Sequence, residues 1–221
     1  AAPRASGGTG VESTVTQGPA NGGREKAGPG GGPEGERVWC RGAGGSASDS
    51  LWWQPADFSG PAEWLLKTTR DIWEGVITPD GGAIVYRTGT MGAADVLTRS
   101  LRGDTTPKPV AATKATEWAA RVSPDGHWVA YASNESGATQ VYVRPFPGPG
   151  GGRTQASADG GDTPVCSRDG RRLFYVDGQK MMVATVAFTP ALTISVPQEL
   201  FEGDFTYLPG HATYDVSADG K

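Results

Sequence analysis

Short apolar segments separated by turn-forming residues dominate the chain from about residue 51 onward. Segments such as 84–86 (Ile-Val-Tyr) and 173–175 (Leu-Phe-Tyr) are apolar at consecutive positions, which is typical of strands that are buried on both faces. No stretch of convincing length has the spacing of an amphipathic helix; 61–67 is the nearest, and it lies where an outer strand is expected. The pattern therefore predicts an all-β fold whose sheets have neighbours on both sides.

A four-residue turn signal recurs along the chain at a nearly constant interval. The turns cover residues 78–81, 123–126, 167–170 and 217–220, and their aspartates are 45, 44 and 50 residues apart. In such turns aspartate bonds to nearby backbone and glycine adopts the left-handed conformation. We interpret the following as structural turn residues rather than as a carboxylate cluster: Asp80, Gly81, Asp125, Gly126, Asp169, Gly170, Asp219 and Gly220.

The similarity between repeats extends beyond the turns. Tyr86, Tyr131 and Tyr175 each lie six residues after a turn aspartate, and the segments 51–54, 96–99 and 141–144 are again 45 residues apart. A period of about 40–45 residues with four strands per repeat is characteristic of β-propeller blades. The sequence therefore predicts blades of four antiparallel strands, and it places the three tyrosines at equivalent positions on the second strand of successive blades.

The repeat resembles that of TolB-like propellers, also called PD-type or WD-like repeats, because a Ser-Pro-Asp-Gly turn precedes an apolar strand ending in tyrosine. Segments 140–148 and 167–175, followed by Met181-Met182, resemble propellers at the C-terminus of bacterial eukaryotic-like serine/threonine kinases. In that family the propeller follows the kinase domain, usually beyond a membrane span, and serves as a sensor or interaction module. The resemblance implies an extracytoplasmic or periplasmic location. Cys166 and Ala218 depart from the repeat, which often has tryptophan and proline there.

Composition divides the chain into a leader and a folded part. Residues 1–50 hold 14 of the 34 glycines, and the first 35 have few aliphatic side chains, so residues 1–48 are predicted to be a disordered leader. Residues 49–221 are predicted to form the propeller units. They accommodate about four repeats, whereas propellers have about 4–8 blades. We therefore expect an incomplete propeller that is a fragment of a longer protein.

Charge and motif content argue against several functional classes. The net charge is −4 and the chain has no block of basic residues, so neither nucleic-acid binding nor a membrane contact by this segment is expected. Two distant cysteines and two histidines form no ligand pattern, so no metal or cofactor is expected. The kinase signature motifs and the Gly-x-Ser-x-Gly nucleophile motif are absent from the sequence, so this chain is not expected to be an enzyme.

We call the first strand of each blade its inner strand. In propellers the loops that precede the inner strands line one mouth of the central channel, so these loops form the candidate binding surface. Aromatic side chains beside carboxylates suit a cationic or peptide partner. The candidate binding residues are Asp71, Trp73, Glu117, Trp118, Asp162 and His211. For Trp73 and Trp118 we favour the alternative that they wedge between neighbouring blades.

Three functional interpretations remain open. The first is a non-catalytic binding or sensor propeller in a bacterial kinase signalling protein, holding a protein, a peptide or a small ligand in its channel. The second is the substrate-gating propeller of a prolyl-oligopeptidase-type serine peptidase. The third is a TolB-like periplasmic scaffold. The domains that flank this segment in the parent protein would discriminate among them.

Overall fold

The computed structural model describes residues 37–44, 48–55, 60–61, 63–90, 92–148, 152–188, 191–205 and 212–217. The regular elements in these segments are all β-strands. They belong to two compact units, Ala1–Arg70 and Asp71–Lys221, which are described separately below. No helix in the described segments has the length and apolar character needed to cross a membrane.

The first unit contains one antiparallel sheet of three strands. Its strands are β1 (Arg37–Gly44), β2 (Ser48–Pro55) and β3 (Glu63–Lys67), in that spatial order. The segment 51–54 lies in β2, and β3 lies where the outer strand was expected. The three strands of this sheet correspond to the second, third and fourth strands of a four-stranded blade.

Strand β1 lies within residues 1–48, the segment that was predicted to be a disordered leader. Residues 38–40 of β1 pair with residues 52–54 of β2. Residues 1–36 and 45–47 of the predicted leader lie outside the described residues.

The second unit contains three sheets that repeat one plan, and we call them blades A, B and C. Blade A consists of β4 (Ile72–Ile77), β5 (Ala83–Thr90), β6 (Ala93–Ser100) and β7 (Lys108–Ala111). Blade B consists of β8 (Glu117–Val122), β9 (Trp128–Ser133), β10 (Gln140–Pro145) and β11 (Thr154–Gln155). Blade C consists of β12 (Asp162–Cys166), β13 (Arg172–Asp177), β14 (Lys180–Ala187), β15 (Thr193–Ile194) and β16 (Gln198–Glu202). In blade C both β15 and β16 pair with β14.

The predicted fold class is confirmed, since each blade has antiparallel strands that neighbour one another in chain order. Tyr86, Tyr131 and Tyr175 are each the fourth residue of their blade's second strand and are 2%, 3% and 1% exposed. The segments 96–99 and 141–144 lie at equivalent places in β6 and β10. The described residues are consistent with an incomplete propeller of about four units.

Hydrophobic cores lie between consecutive blades of the second unit. The buried residues between blades A and B are Val85, Val96, Val110, Ala111, Ala120, Val129, Tyr131, Tyr142 and Phe146. Those between blades B and C are Trp128, Ala130, Val141, Val143, Ala156, Leu173, Tyr175 and Val186. Strand β9 contributes alternate residues to the two cores, and this explains why its sequence is apolar at consecutive positions.

The repeated turn joins the first two strands of each blade. Gly81, Gly126 and Gly170 have φ of 65°, 74° and 68°, a conformation that a side chain disfavours. Each glycine N–H donates to the carbonyl oxygen three residues earlier, at 2.8–2.9 Å, which closes the turn. The fourth predicted turn, with Asp219 and Gly220, lies outside the described residues.

Side-chain hydrogen bonds stabilise this turn in the same way in all three blades. In blade B, Asp125 accepts hydrogen bonds from the Ser123 hydroxyl at 2.5 Å and from the His127 N–H at 3.0 Å. The Ser123 oxygen in turn accepts the Trp128 N–H at 3.1 Å. Asp80 and Asp169 make the equivalent contacts, and these hydrogen bonds lower the pKa of both carboxyls.

Candidate functional site

The inner strands β4, β8 and β12 begin with an irregularity that directs polar groups toward the next blade. Each is the edge strand of its sheet, and its pairing register shifts near its start. At equivalent positions of β8 and β12, Ala119 and Thr163 have φ of 53° and 48°. Such bulges twist a strand locally and change the direction of its side chains. The starts of three inner strands therefore form one polar region.

Glu74 links blade A to blade B in this region. Its Oε1 accepts a hydrogen bond from the N–H of Ala119, the bulged residue of β8. Burial raises the pKa of Glu74 to about 7, against the lowering effects of Arg121, of the Ala119 hydrogen bond and of Arg87, while Asp162 raises it slightly. The carboxyl group is therefore held in a desolvated position and changes charge near neutral pH.

Trp118 links blade B to blade C. Its indole Nε1 donates a hydrogen bond to Asp162 Oδ1 at 2.6 Å, and the same oxygen accepts the Thr163 N–H at 2.6 Å. Trp118 is only 8% exposed and packs against Ala119 and Ala132. In the structure this side chain therefore lies between two blades, as in the favoured alternative.

Trp73, at the equivalent position of blade A, is half-buried and contacts its own blade. Its Nε1 donates to Gly89 O at 2.8 Å, and the Arg87 guanidinium lies 5.5 Å from its ring centroid. The structure thus gives the two repeated tryptophans different surroundings. An indole that is partly exposed beside a cation retains area for contact with a ligand.

Arg121 lies among the inner strands of blades A, B and C. It is half-buried, and its Nη1 donates to Ala120 O at 2.8 Å. Burial raises the pKa of Cys166 to about 12 and also raises the pKa of Tyr214. The positive charge of Arg121 lowers both pKa values and so opposes this effect. The Tyr214 hydroxyl reaches blade C and donates to Thr163 O at 2.7 Å. We call Glu74, Trp118, Arg121, Asp162 and Tyr214 the inner-strand cluster.

The remaining predicted binding residues are placed differently. Asp71 is exposed, and its carbonyl oxygen accepts the Gly89 N–H at 3.1 Å. Glu117 is completely buried and accepts the Thr113 hydroxyl at 2.5 Å, a contact that anchors the loop before β8. Burial raises the pKa of Glu117. His211 lies outside the described residues.

The candidate binding residues chosen from the sequence did not include Glu74 or Arg121. Glu74 directly follows the candidate Trp73, and Arg121 lies just before a turn. A signal was present in each case, because a charged residue inside a short inner strand is surrounded by apolar neighbours. The cluster contains both signs of charge, aromatic rings and hydrogen-bond donors, which equips it for binding polar groups. Across the described segments, no set of three or more His, Cys, Asp or Glu side chains is grouped to hold a metal ion.

Comparisons with known proteins find relatives by structure alone, since no protein-family model and no curated protein matches the sequence. TolB from Acinetobacter baumannii aligns with a TM-score of 0.60 at 16% identity, over 77% of this chain and 42% of that one. The putative TolB from Agrobacterium tumefaciens aligns with 0.59 at 15%, over 85% and 69%. A puromycin-hydrolysing peptidase from Mycobacterium tuberculosis aligns with 0.57 at 17%, over 76% and 30%.

These similarities show a TolB-like β-propeller fold. The identities are low, so the fold is all that the comparisons establish. The chain spans less than half of the length of the Acinetobacter TolB, so the activity and partners of a whole protein do not follow from the alignment.

Proposed function

We propose that this chain is a non-catalytic binding module whose propeller blades hold a peptide segment of a protein partner at the mouth where the inner strands begin. The observation that carries the proposal is the inner-strand cluster. Glu74, Arg121 and Asp162 come from three consecutive blades, and the charges of Arg121 and Asp162 affect both Glu74 and Tyr214. A single extended peptide placed there can contact side chains from all three blades. A site on one blade would offer the peptide fewer different contacts and so less specificity.

The residues at the edge of this mouth, which we call the rim, favour a peptide ligand in particular. Asp71 is exposed and Trp73 is half-buried, and the two residues flank Ile72, the first residue of β4. Tryptophan provides a large, rigid contact area, and a nearby carboxylate adds selectivity for basic peptide groups. The rim and the cluster together offer an aromatic surface beside charges of both signs.

For the parent protein, we propose a bacterial serine/threonine kinase in which this segment is the sensor or interaction part. The support is the resemblance of segments 140–148 and 167–175 to the propellers of such kinases. The structural neighbours include prolyl endopeptidases as well as TolB proteins, and they do not favour the peptidase interpretation. Coexpression of the segment with its full-length parent would show whether kinase activity depends on propeller ligands.

The binding proposal is tested with peptides selected from a random dodecapeptide display library against the full chain. Affinities are then measured by titration calorimetry for the wild type, Asp71→Lys and the control Arg171→Glu. Both side chains are exposed, but Arg171 follows the turn at the far end of the inner strand of blade C. We expect Asp71→Lys to weaken binding at least about tenfold, or ~1.4 kcal/mol, with the control unchanged.

Two results would contradict this function. One is that no selected peptide binds with a saturable isotherm. The other is that the selected peptides bind wild type, Asp71→Lys and Arg171→Glu with equal affinity, because binding would then occur away from the mouth. Circular dichroism of each variant checks that it retains the strand signal of the wild type.

A further inference from the structure

Arg121 is half-buried and uses few of its hydrogen-bond donors within the described residues. Within the described part of the chain it makes one hydrogen bond, from Nη1 to Ala120 O, and no ion pair. A guanidinium carries five N–H donors in a planar fork. Among the described residues the other donors of Arg121 have no protein partner, and they are not buried away from solvent. Most of the donors of Arg121 are therefore available to an added group.

The polar groups around Arg121 make hydrogen bonds with other groups. Glu74 accepts the Ala119 N–H, and Asp162 accepts both the Trp118 indole and the Thr163 N–H. The Tyr214 hydroxyl donates to a backbone carbonyl. The charge of Arg121 lowers the pKa of Glu74, so the two groups interact electrostatically. Among the described residues, the hydrogen bonds named above use none of the remaining donors of Arg121.

We infer that Arg121 binds a carboxylate group of the partner peptide inside the inner-strand cluster. This inference deepens the proposed function and rests on it for the nature of the partner. Carboxylates accept two parallel N–H bonds from a guanidinium, and this bidentate geometry is the strongest pairing that an arginine side chain makes. The carboxylate belongs either to the C-terminus of the peptide or to an Asp or Glu side chain.

Glu74 makes the binding dependent on pH. The charged groups that face it are Arg87 on β5, Arg121 on β8 and Asp162 on β12. Since the pKa of Glu74 is about 7, this carboxyl loses its negative charge as the pH falls through neutrality. Arg121 is then less compensated, while the peptide carboxylate, with a pKa of about 4, remains ionised. We expect tighter binding at pH 6 than at pH 8, and a flatter pH profile in Glu74→Gln.

The experiment uses N-acetylated tripeptides with a free C-terminal carboxylate and the C-terminal amides of the same sequences. The Nε–Hε signal of Arg121 in the ¹⁵N-labelled full chain is assigned by its disappearance in Arg121→Lys. The free acids should shift this signal in a saturable way, and the amides should not. Amidated tripeptides containing Asp or Glu, compared with Asn or Gln, distinguish a side-chain carboxylate from a C-terminal one.

The variants test the role of the guanidinium. Arg121→Gln should bind the carboxylate peptides at least tenfold more weakly than wild type, and the exposed control Arg171→Gln should bind them normally. Arg121→Lys keeps the charge but not the fork, so it should show an intermediate affinity. This second variant keeps the test decisive if Arg121→Gln does not fold.

The outcomes separate this inference from the proposed function. If the dodecapeptides bind in a manner sensitive to Asp71 but independent of Arg121 and of any carboxylate, the inference is wrong and the proposed function stands. If the Arg121 signal responds to free acids while no dodecapeptide binds, the carboxylate site stands and the peptide-binding function falls. An Arg121 signal that responds to neither acids nor amides overturns the inference.

Discussion

Replacing Glu74 with glutamine should remove the contribution of this carboxyl group to the pH dependence of the free energy of unfolding. The carboxyl group of Glu74 is buried between blades A and B, and its pKa is raised from 4.5 to about 7. Glutamine has nearly the same shape and remains neutral, and its side-chain oxygen still accepts the Ala119 N–H. The substitution therefore imitates the protonated form of Glu74 at every pH.

The direction and size of the effect follow from proton linkage. Because the folded pKa lies above the unfolded value, the folded state binds the proton more tightly. The resulting stabilisation is fully present below pH 4.5 and is lost as the pH rises through 7. A shift from 4.5 to about 7 corresponds to roughly 3 kcal/mol. The free energy of unfolding of the wild type should fall by about this amount relative to Glu74→Gln between pH 4.5 and pH 8.

Urea unfolding followed by tryptophan fluorescence, at half-unit steps from pH 4.5 to 8.5, measures this difference. Taking the difference between variants removes the contribution of other titrating groups, such as Glu117. The control is Glu199→Gln, since Glu199 is exposed and forms a surface ion pair with Lys180 at 2.8 Å. Its profile should parallel that of the wild type. If the wild type and Glu74→Gln also gave parallel profiles, Glu74 would not be desolvated and the reasoning would be refuted.

Three further predictions concern packing and association. Tyr131→Ala removes an aromatic ring from the core between blades A and B and should cost about 3–5 kcal/mol in chemical denaturation; a loss below about 1 kcal/mol would contradict its burial. Trp118→Phe removes the indole N–H bond to blade C and should cost about 1–3 kcal/mol in the free energy of unfolding. Trp73→Phe, which loses an indole bond within blade A, is the matched comparison, and no loss of stability in Trp118→Phe would contradict the bond between blades. Leu200 and Phe201 are 49% and 54% exposed, so we expect the protein to self-associate, with light scattering that rises with concentration and is reduced in Phe201→Lys. A protein that remains monomeric at high concentration would contradict this prediction.

Much of the repeat architecture can be read from local sequence. Aspartate and glycine specify the turn by bonds that span only a few residues, as in the contacts of Asp125 with Ser123 and His127. The recurrence of the turn near every 45 residues then places the strands, and the alignment assigns Tyr86, Tyr131 and Tyr175 to one position. Local hydrogen bonds and strand alternation do not depend on which blade lies beside which, and for this reason they are visible in a single sequence.

The surroundings of the candidate site residues could not be read from the sequence. Glu117 was predicted to be a binding residue, and in the structure it is buried and bonded to Thr113, four residues earlier. Strand β1 pairs with β2 along its whole length, and the composition of residues 37–44 does not reveal this pairing. Glu74 and Arg121 carried no motif, and their importance depends on groups from other blades.

The sequence by itself determined the all-β class, the period of the repeat and the chemistry of the turns, because these depend on residues close together in the chain. The tertiary structure alone decided which polar side chains meet. Trp118 bonds to Asp162 across 44 residues, and Ala119 bonds to Glu74 across 45. Those distances are one repeat long, so the contacts form only when a blade stacks on its neighbour. Stacking also removes the carboxyl of Glu74 from water, and this desolvation raises its pKa.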